Sequence, residues 1–315
     1  MKNCAVIYNP NSGKGINEKQ LIKLEQMLNL YDYNAIIYKT EYRGHALEIV
    51  KELKNIDLVI SIGGDGTFNE IMTGNFERKD KLLLSHIPIG TANDLGAMYG
   101  YGKSLIRNLR LLLSGTEKKI DICTINGRPF TYSAGFGKFV NISYETPREL
   151  KKKYGYLAYL MCALKDFNGP TKLYDITYEV EDKIIRGKYS FCLISNANRI
   201  AGIKNFYKNI KLDDNKFEVL LCDATAKKDI AKGFYKLRTS DITKASGLYF
   251  YKTDKIKITF NDNIKLAWSL DGEKYEEETN VFDIKIVRNI RILLPNKNIK
   301  KLFVNEGILW KQIIN

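Results

Sequence analysis

The first third of the chain alternates short aliphatic, β-branched runs with stretches whose apolar positions recur every three or four residues. Ala5–Tyr8, Ala35–Tyr38, Leu58–Ile62 and Leu82–Ile87 read as strands, Leu21, Leu24 and Leu28 draw one helix stripe, and Ala46, Ile49, Val50 and Leu53 another. Repeated strand, helix, strand predicts βαβ units on a parallel sheet, and Leu58–Ile62 has the unbroken apolar pattern of a strand covered on both faces. After about residue 120 the period becomes two, as in Lys255–Phe260, and the turn pairs Asn126-Gly127 and Glu181-Asp182 separate extended runs. That half predicts an antiparallel β-sandwich, with helical patterns at Tyr154–Phe167 and near Lys227–Leu237. The expected division is an α/β domain over 1–120 and a β-sandwich over 121–295, with no repeat or low-complexity linker.

Composition narrows the function classes. The 315 residues leave room for two cores, and a formal charge of +14 favours anionic partners: nucleotide phosphates, anionic lipid or nucleic acid. Cys4, Cys123, Cys162, Cys192 and Cys222 are widely spaced, and His45 and His86 are the only histidines, which argues against zinc and a disulfide framework. The most apolar stretch, Tyr154–Leu164, falls short of the roughly 18 residues a membrane span needs. A strand-like run starting at Cys4 leaves no room for a cleavable leader. The expectation is a cytoplasmic protein that touches a membrane without crossing it.

Three strand ends carry glycine-containing loops. The first strand enters Asn9-Pro10-Asn11-Ser12-Gly13-Lys14-Gly15, which lacks the spacing of a Walker A loop. The third enters Gly63-Gly64-Asp65-Gly66-Thr67-Phe68-Asn69-Glu70. Glycines let phosphate oxygens approach main-chain N–H groups at a helix N-terminus. In such a place Asp65 holds a cation, accepts a proton or orients neighbouring donors, and Thr67 with Glu70 reads as a helix cap of the capping-box kind. The fourth strand ends in Pro88-Ile89-Gly90-Thr91-Ala92-Asn93-Asp94-Leu95-Gly96, where Thr91 offers a hydroxyl and Asn93 and Asp94 read equally well as helix-capping residues.

In this order the three motifs resemble the diacylglycerol kinase catalytic family, which is related to sphingosine kinases and more distantly to NAD kinases. The likeness extends to Lys153-Tyr154-Gly155-Tyr156-Leu157-Ala158-Tyr159-Leu160 and to a late Asp271-Gly272-Glu273. The resemblance implies a nucleotide-binding α/β domain followed by a β-sandwich, ATP and lipid meeting in a cleft, and a tail over 296–315 that returns to the first domain. It places ATP contacts on Asn9, Pro10, Asn11, Ser12 and Gly13, on Thr40, on Gly64 through Glu70, and on Thr91. It places magnesium on Lys211 through Lys216, where Asp214 supplies the carboxylate and neighbouring carbonyls assist. Two positions depart from the family pattern: Asp214 is followed by Asn215 rather than Gly, and Ala201-Gly202 stands where the family has Gly-Gly.

Asp271 and Glu273 lie two apart on what reads as an extended segment, so alternation puts both carboxylates on one face. The expected chemistry is ATP- and Mg-dependent phosphorylation of a lipid hydroxyl, diacylglycerol or a related lipid, with Glu273 taking the proton and Asp271 assisting; the reverse assignment is also open. Lys151, Lys152 and Lys153 beside Tyr154, Tyr156 and Tyr159 suit docking on an anionic membrane surface, and suit equally a solvated charge run before a core helix. A homodimer is compatible with the sequence. The alternatives are an NAD kinase-like enzyme acting on a soluble substrate and a non-catalytic lipid or nucleotide sensor. A nucleic-acid partner rests on charge alone and is not expected.

Overall fold

The computed structural model describes residues 1–13, 15–140, 142–147, 149–150, 156–207, 209–229, 232, 247–262, 266–296 and 299–304. Lys14, Lys151–Lys153, Tyr154, most of the pattern at Lys227–Leu237 and the end of the C-terminal tail therefore lie outside the described residues. The chain divides into two compact units. Met1–Asp121, Lys211–Asp214 and the chain from Arg288 onward form the first, and Ile122–Ile210 with Asn215–Val287 form the second.

The first unit begins β1 (Lys2–Tyr8), α1 (Glu18–Leu30), β2 (Tyr33–Lys39), α2 (His45–Glu52), β3 (Leu58–Gly63), α3 (Asp65–Glu77), β4 (Leu83–Pro88), α4 (Asp94–Met98) and α5 (Leu105–Leu113). Its strands lie in the order β2-β1-β3-β4 and all pair in parallel. β3 is buried at every position, as its apolar run requires. α1 starts at a capping box: the Asn17 side chain accepts the Gln20 N–H at 2.9 Å, and the Gln20 side chain accepts the Asn17 N–H at 3.0 Å. Such a cap stabilises the helix by about 1 kcal/mol, while Leu24, Met27 and Leu28 are its buried stripe. Because β1 has β2 on one side and β3 on the other, the chain reverses its direction of travel across the sheet there. The carboxyl ends of β1 and β3 at such a switch point are where open α/β sheets take ligands.

Strand β5 (Thr116–Ile125) leads into the second unit, which contains β6 (Arg128–Phe130), β7 (Ser133–Gly137), α6 (Ile142–Glu145), α7 (Tyr156–Asn168), β8 (Tyr174–Val180), β9 (Lys183–Tyr189), β10 (Phe191–Ser195), β11 (Arg199–Ile200), β12 (Ile203–Lys204), β13 (Phe217–Cys222), β14 (Leu248–Thr253), β15 (Lys255–Phe260), β16 (Ala267–Leu270) and β17 (Glu273–Glu276). The long β18 (Val281–Leu294) starts here and ends in the first unit, where Ile292 pairs with Leu84 of β4.

One antiparallel sheet runs β14-β13-β10-β7-β16-β17. A second set of antiparallel pairs joins β18 to β15, β15 to β8 and β8 to β9. Between them Phe136 meets Phe260 and Trp268 edge-on at 4.9 and 5.0 Å, and Phe282 closes on Trp268 at 5.1 Å. Pairs of this geometry add about 0.5–1.5 kcal/mol each beyond burial. The Asn126-Gly127 and Glu181-Asp182 turns form as read, with positive φ at all four residues, closing the β5–β6 and β8–β9 hairpins. The chain is thus an α/β unit with a parallel sheet followed by an antiparallel sandwich.

Candidate functional site

The loops after β1, β3 and β4 meet at the switch point, and glycines let them meet. Gly13 takes a φ of +57°, and a Cβ built there would lie 1.9 Å from the Ile89 carbonyl oxygen. A Cβ on Gly90 would lie 2.6 Å from the Gly64 Cα. Backbone bonds lock the same approach: Asn9 N–H donates to Ile62 O at 3.0 Å, and Ile89 N–H to Gly63 O at 2.8 Å. Side chains continue it, with Asn9 Nδ2 donating to Thr67 Oγ1 at 3.3 Å and the Gly64 N–H to Ser12 Oγ at 3.2 Å. Thr40 is buried beside this edge, its N–H donating to Tyr8 O at 3.0 Å, whereas Thr91 is exposed on the loop after β4.

Asp65 opens α3 and is buried. Its Oδ2 accepts the Asp94 N–H at 3.0 Å, tying the loop after β3 to the one after β4. Of the three roles open to Asp65 from the sequence, this geometry displays the orienting one. Beneath it lies fully buried His86, with Nε2 4.0 Å from Asp65 Oδ1 and Nδ1 3.3 Å from Ser61 Oγ. Burial pushes the His86 pKa down to about 3, so the ring is neutral. Asn93, in left-handed conformation, sends Nδ2 back to Gly90 O at 2.6 Å rather than capping α4.

The capping-box reading of Thr67 and Glu70 fails. The N-cap of α3 is Gly64 with no side-chain cap, and Thr67 lies inside the helix. Glu70 instead accepts the N–H groups of Gly44 and Ala46, at 2.9 and 3.3 Å, and so caps α2. The negative charge sits where the helix presents unsatisfied N–H groups.

The late acidic motif is a turn, not an extended segment. Asp271 and Gly272 have φ of 48° and 87° and join β16 to β17, with Leu270 paired to Glu273. The expectation that both carboxylates share one strand face is therefore wrong. Asp271 is buried, and its carboxylate accepts four hydrogen bonds from Thr131, Tyr132 and Ser133. Glu273 is half-buried at the start of β17.

Residues 211–213 hold the described end of the tail. Leu212 N–H donates to Leu302 O at 2.7 Å, Val304 N–H to Asp213 Oδ1 at 2.8 Å, and Lys211 Nζ to Lys301 O and Phe303 O at 2.9 and 3.0 Å. The ammonium of Lys211 is thus spent on carbonyls, and of Lys211, Asp214 and Lys216 only half-buried Asp214 brings a carboxylate. Asn215 takes φ 62°, the conformation for which glycine is the default residue. Ala201 does the same at φ 49°, in the two-residue turn between β11 and β12.

His86 lies outside the motifs that the sequence offers. No local pattern marks it, because its partners Ser61 and Asp65 come from the neighbouring strand and helix.

Residues 3–125 match the diacylglycerol kinase catalytic domain. The chain is 28% identical over 308 residues to a diacylglycerol kinase of Bacillus subtilis strain 168, covering 96% of this chain and 99% of the relative. It is 29% identical over 313 residues to a diacylglycerol kinase of Staphylococcus aureus strain Newman, covering 97% and 96%. A crystal structure of a Bacillus anthracis strain Sterne diacylglycerol kinase shares the fold, with a TM-score of 0.74 at 20% identity over 94% of this chain and 97% of that one. A second B. anthracis structure, described as a candidate diacylglycerol kinase, reaches a TM-score of 0.80 at 21% identity over 94% and 96%. Residues 3–125 are thus similar to the diacylglycerol kinase catalytic domain, and the chain resembles diacylglycerol kinases over nearly its whole length.

Proposed function

We propose that this protein transfers the γ-phosphoryl group of ATP to the hydroxyl of a membrane lipid, diacylglycerol or a close relative. One observation carries the reading: three glycine loops converge at the switch point of the parallel sheet, with two of the contacts too close for any side chain. Such a surface offers main-chain N–H groups to phosphate oxygens. Phosphoryl transfer asks mainly for positioning and charge neutralisation. Asn9 through Gly13, Thr40, Gly64 through Glu70 and Thr91 form the nucleotide side, with Asp65 holding the loop geometry.

Glu273, half-buried at the head of β17, is the general base that takes the proton of the lipid hydroxyl. Asp271 acts through it, by fixing the turn from which β17 starts. The residue chemistry at Asp214 suits magnesium: one carboxylate, assisted by neighbouring backbone carbonyl oxygens, offers hard ligands to an ion that keeps several waters. Among the described residues no group of three or more His, Cys, Asp or Glu could form an all-protein cage. When bound, magnesium would supply neutralisation of the phosphate charge.

Among the described residues no helix is long and apolar enough to cross a membrane; in this reading the protein takes its lipid from the membrane surface. The test is incubation with ATP, magnesium and a total lipid extract, with NAD in a parallel reaction and the products identified by mass spectrometry. Phosphatidic acid or another phosphorylated lipid supports the reading. NADP as the product, or nucleotide binding with no phosphorylated lipid, overturns it.

A further inference from the structure

We infer that His86 is the positioning residue of Asp65: held by Ser61, it presents Nε2 to the carboxylate from beneath and fixes the rotamer in which Asp65 ties the loop after β4 to the loop after β3. Parallel pairing of β3 with β4 sets Ser61 opposite His86, and α3 begins two residues past the end of β3, which brings Asp65 over the same ring. The imidazole is fully buried, tilted at 37° to the Phe68 ring with centroids 5.0 Å apart. Its Nε2 makes no hydrogen bond among the described residues and has Asp65 Oδ1 at 4.0 Å.

Ser61 decides the tautomer. If its hydroxyl donates to Nδ1 across the 3.3 Å contact, the ring proton sits on Nε2 and faces the carboxylate. With its pKa pushed down by burial, the ring does not exchange protons with the site; it acts as a fixed donor. The Nε2 to Oδ1 separation is longer than a hydrogen bond, and bonds of this kind in ligand-free sites often tighten only in the complex. A hydrocarbon side chain would fill the same space in β4 without this donor. The chain of contacts Ser61, His86, Asp65, Asp94 N–H therefore runs from the sheet interior to the phosphate loops.

The activity consequence rests on the nucleotide reading above, whereas the pairing itself does not. Nitrogen-correlated proton NMR of the imidazole in the full-length protein should show a single neutral tautomer with the proton on Nε2, and the Asp65→Asn variant should shift that signal. Calorimetry with a non-hydrolysable ATP analogue and magnesium should show His86→Leu binding roughly tenfold or more weaker, a loss of the size seen when the partner behind a metal-ligating side chain is removed. His86→Gln, which keeps an N–H donor near the Nε2 position, should recover most of the affinity at equal thermal stability.

A proton on Nδ1, no response to Asp65→Asn, or equal analogue affinity in the Leu and Gln variants would overturn the inference. If His86→Leu does not fold, Ser61→Ala takes its place, and an unchanged tautomer there counts against it equally. Absence of nucleotide binding by the parent protein with the Nε2 tautomer and the Asp65 response intact would sink the kinase reading and leave the pairing standing.

Discussion

Thr131 gives Asp271 both its backbone N–H and its hydroxyl, each at 2.6 Å from the same carboxylate oxygen, Oδ2. The other oxygen takes the N–H groups of Tyr132 and Ser133 at 2.9 and 3.0 Å, and the Asp271 N–H returns to Ser133 O at 2.8 Å. Three consecutive N–H groups thus depend on one buried carboxylate. Asp271→Asn turns one acceptor into a donor and leaves at least one of those groups unpaired. Urea unfolding should show a loss of roughly 1–3 kcal/mol. If the variant is as stable as the parent while turnover collapses, Asp271 acts on the substrate directly rather than through the turn.

Glu273 should separate from its neighbour in the same two measurements. Its strand pairing uses the backbone, so Glu273→Gln keeps the β16–β17 hairpin. Removing a general base lowers turnover by about 10²–10⁴-fold, and binding of an ATP analogue should stay near the parent value. A fully active Glu273→Gln enzyme would take this carboxylate out of the mechanism.

The glycine contacts give a graded test of the loops. Gly90→Ala drives a methyl group to 2.6 Å from the Gly64 Cα, where only backbone could yield, so the two phosphate loops must part. Gly44→Ala meets nothing within 4 Å, although its φ of +89° is strained for alanine. Both variants lose stability, by about 1 kcal/mol from conformation alone for Gly44. Only Gly90→Ala should also lose nucleotide affinity, by tenfold or more on the order of 1.4 kcal/mol. Equal nucleotide affinity in the two would show that the Gly64–Gly90 approach is not part of the nucleotide site.

The two departures from the family pattern differ in what they do to the backbone. Ala201 is left-handed at φ 49°, which costs an alanine about 1–2 kcal/mol, whereas Asn215 at φ 62° is of a type that visits this region routinely. Ala201→Gly should therefore raise stability, by roughly 0.5–1 kcal/mol once the greater freedom of glycine in the unfolded chain is subtracted. Asn215→Gly should change it little. Differential scanning calorimetry of the two variants reads this directly.

Much of the fold was legible because its signals are local. The apolar run of β3, the helix stripe at Leu24 and Leu28, and the turn pairs Asn126-Gly127 and Glu181-Asp182 each fix their element within a few residues. The glycine loops were legible for the same reason. The misreadings concern side chains whose partners are distant in sequence, and one local turn. Glu70 had a plausible local partner in Thr67 and chose N–H groups 24 and 26 residues away. Asp271-Gly272 carries the strongest short hairpin signal there is, and alternation was read across it instead. His86 looked like one more residue of an apolar strand until parallel pairing set it against Ser61.

Acid should expose His86 through stability. Burial lowers its pKa from 6.5 to about 3 in the folded protein, so between those values the unfolded chain takes up a proton that the folded chain refuses. The stabilisation is complete above pH 6.5 and is lost as pH falls toward 3, by up to about 1.4 kcal/mol per pH unit. His86→Leu lacks this dependence, while the carboxylates contribute equally to both proteins. Moving urea titrations from near-neutral pH to about pH 5.5 should therefore cost the parent about 1 kcal/mol more than the variant. Parallel losses would mean that the folded protein accepts the proton as readily as the unfolded chain, and that the imidazole is not held neutral under Asp65.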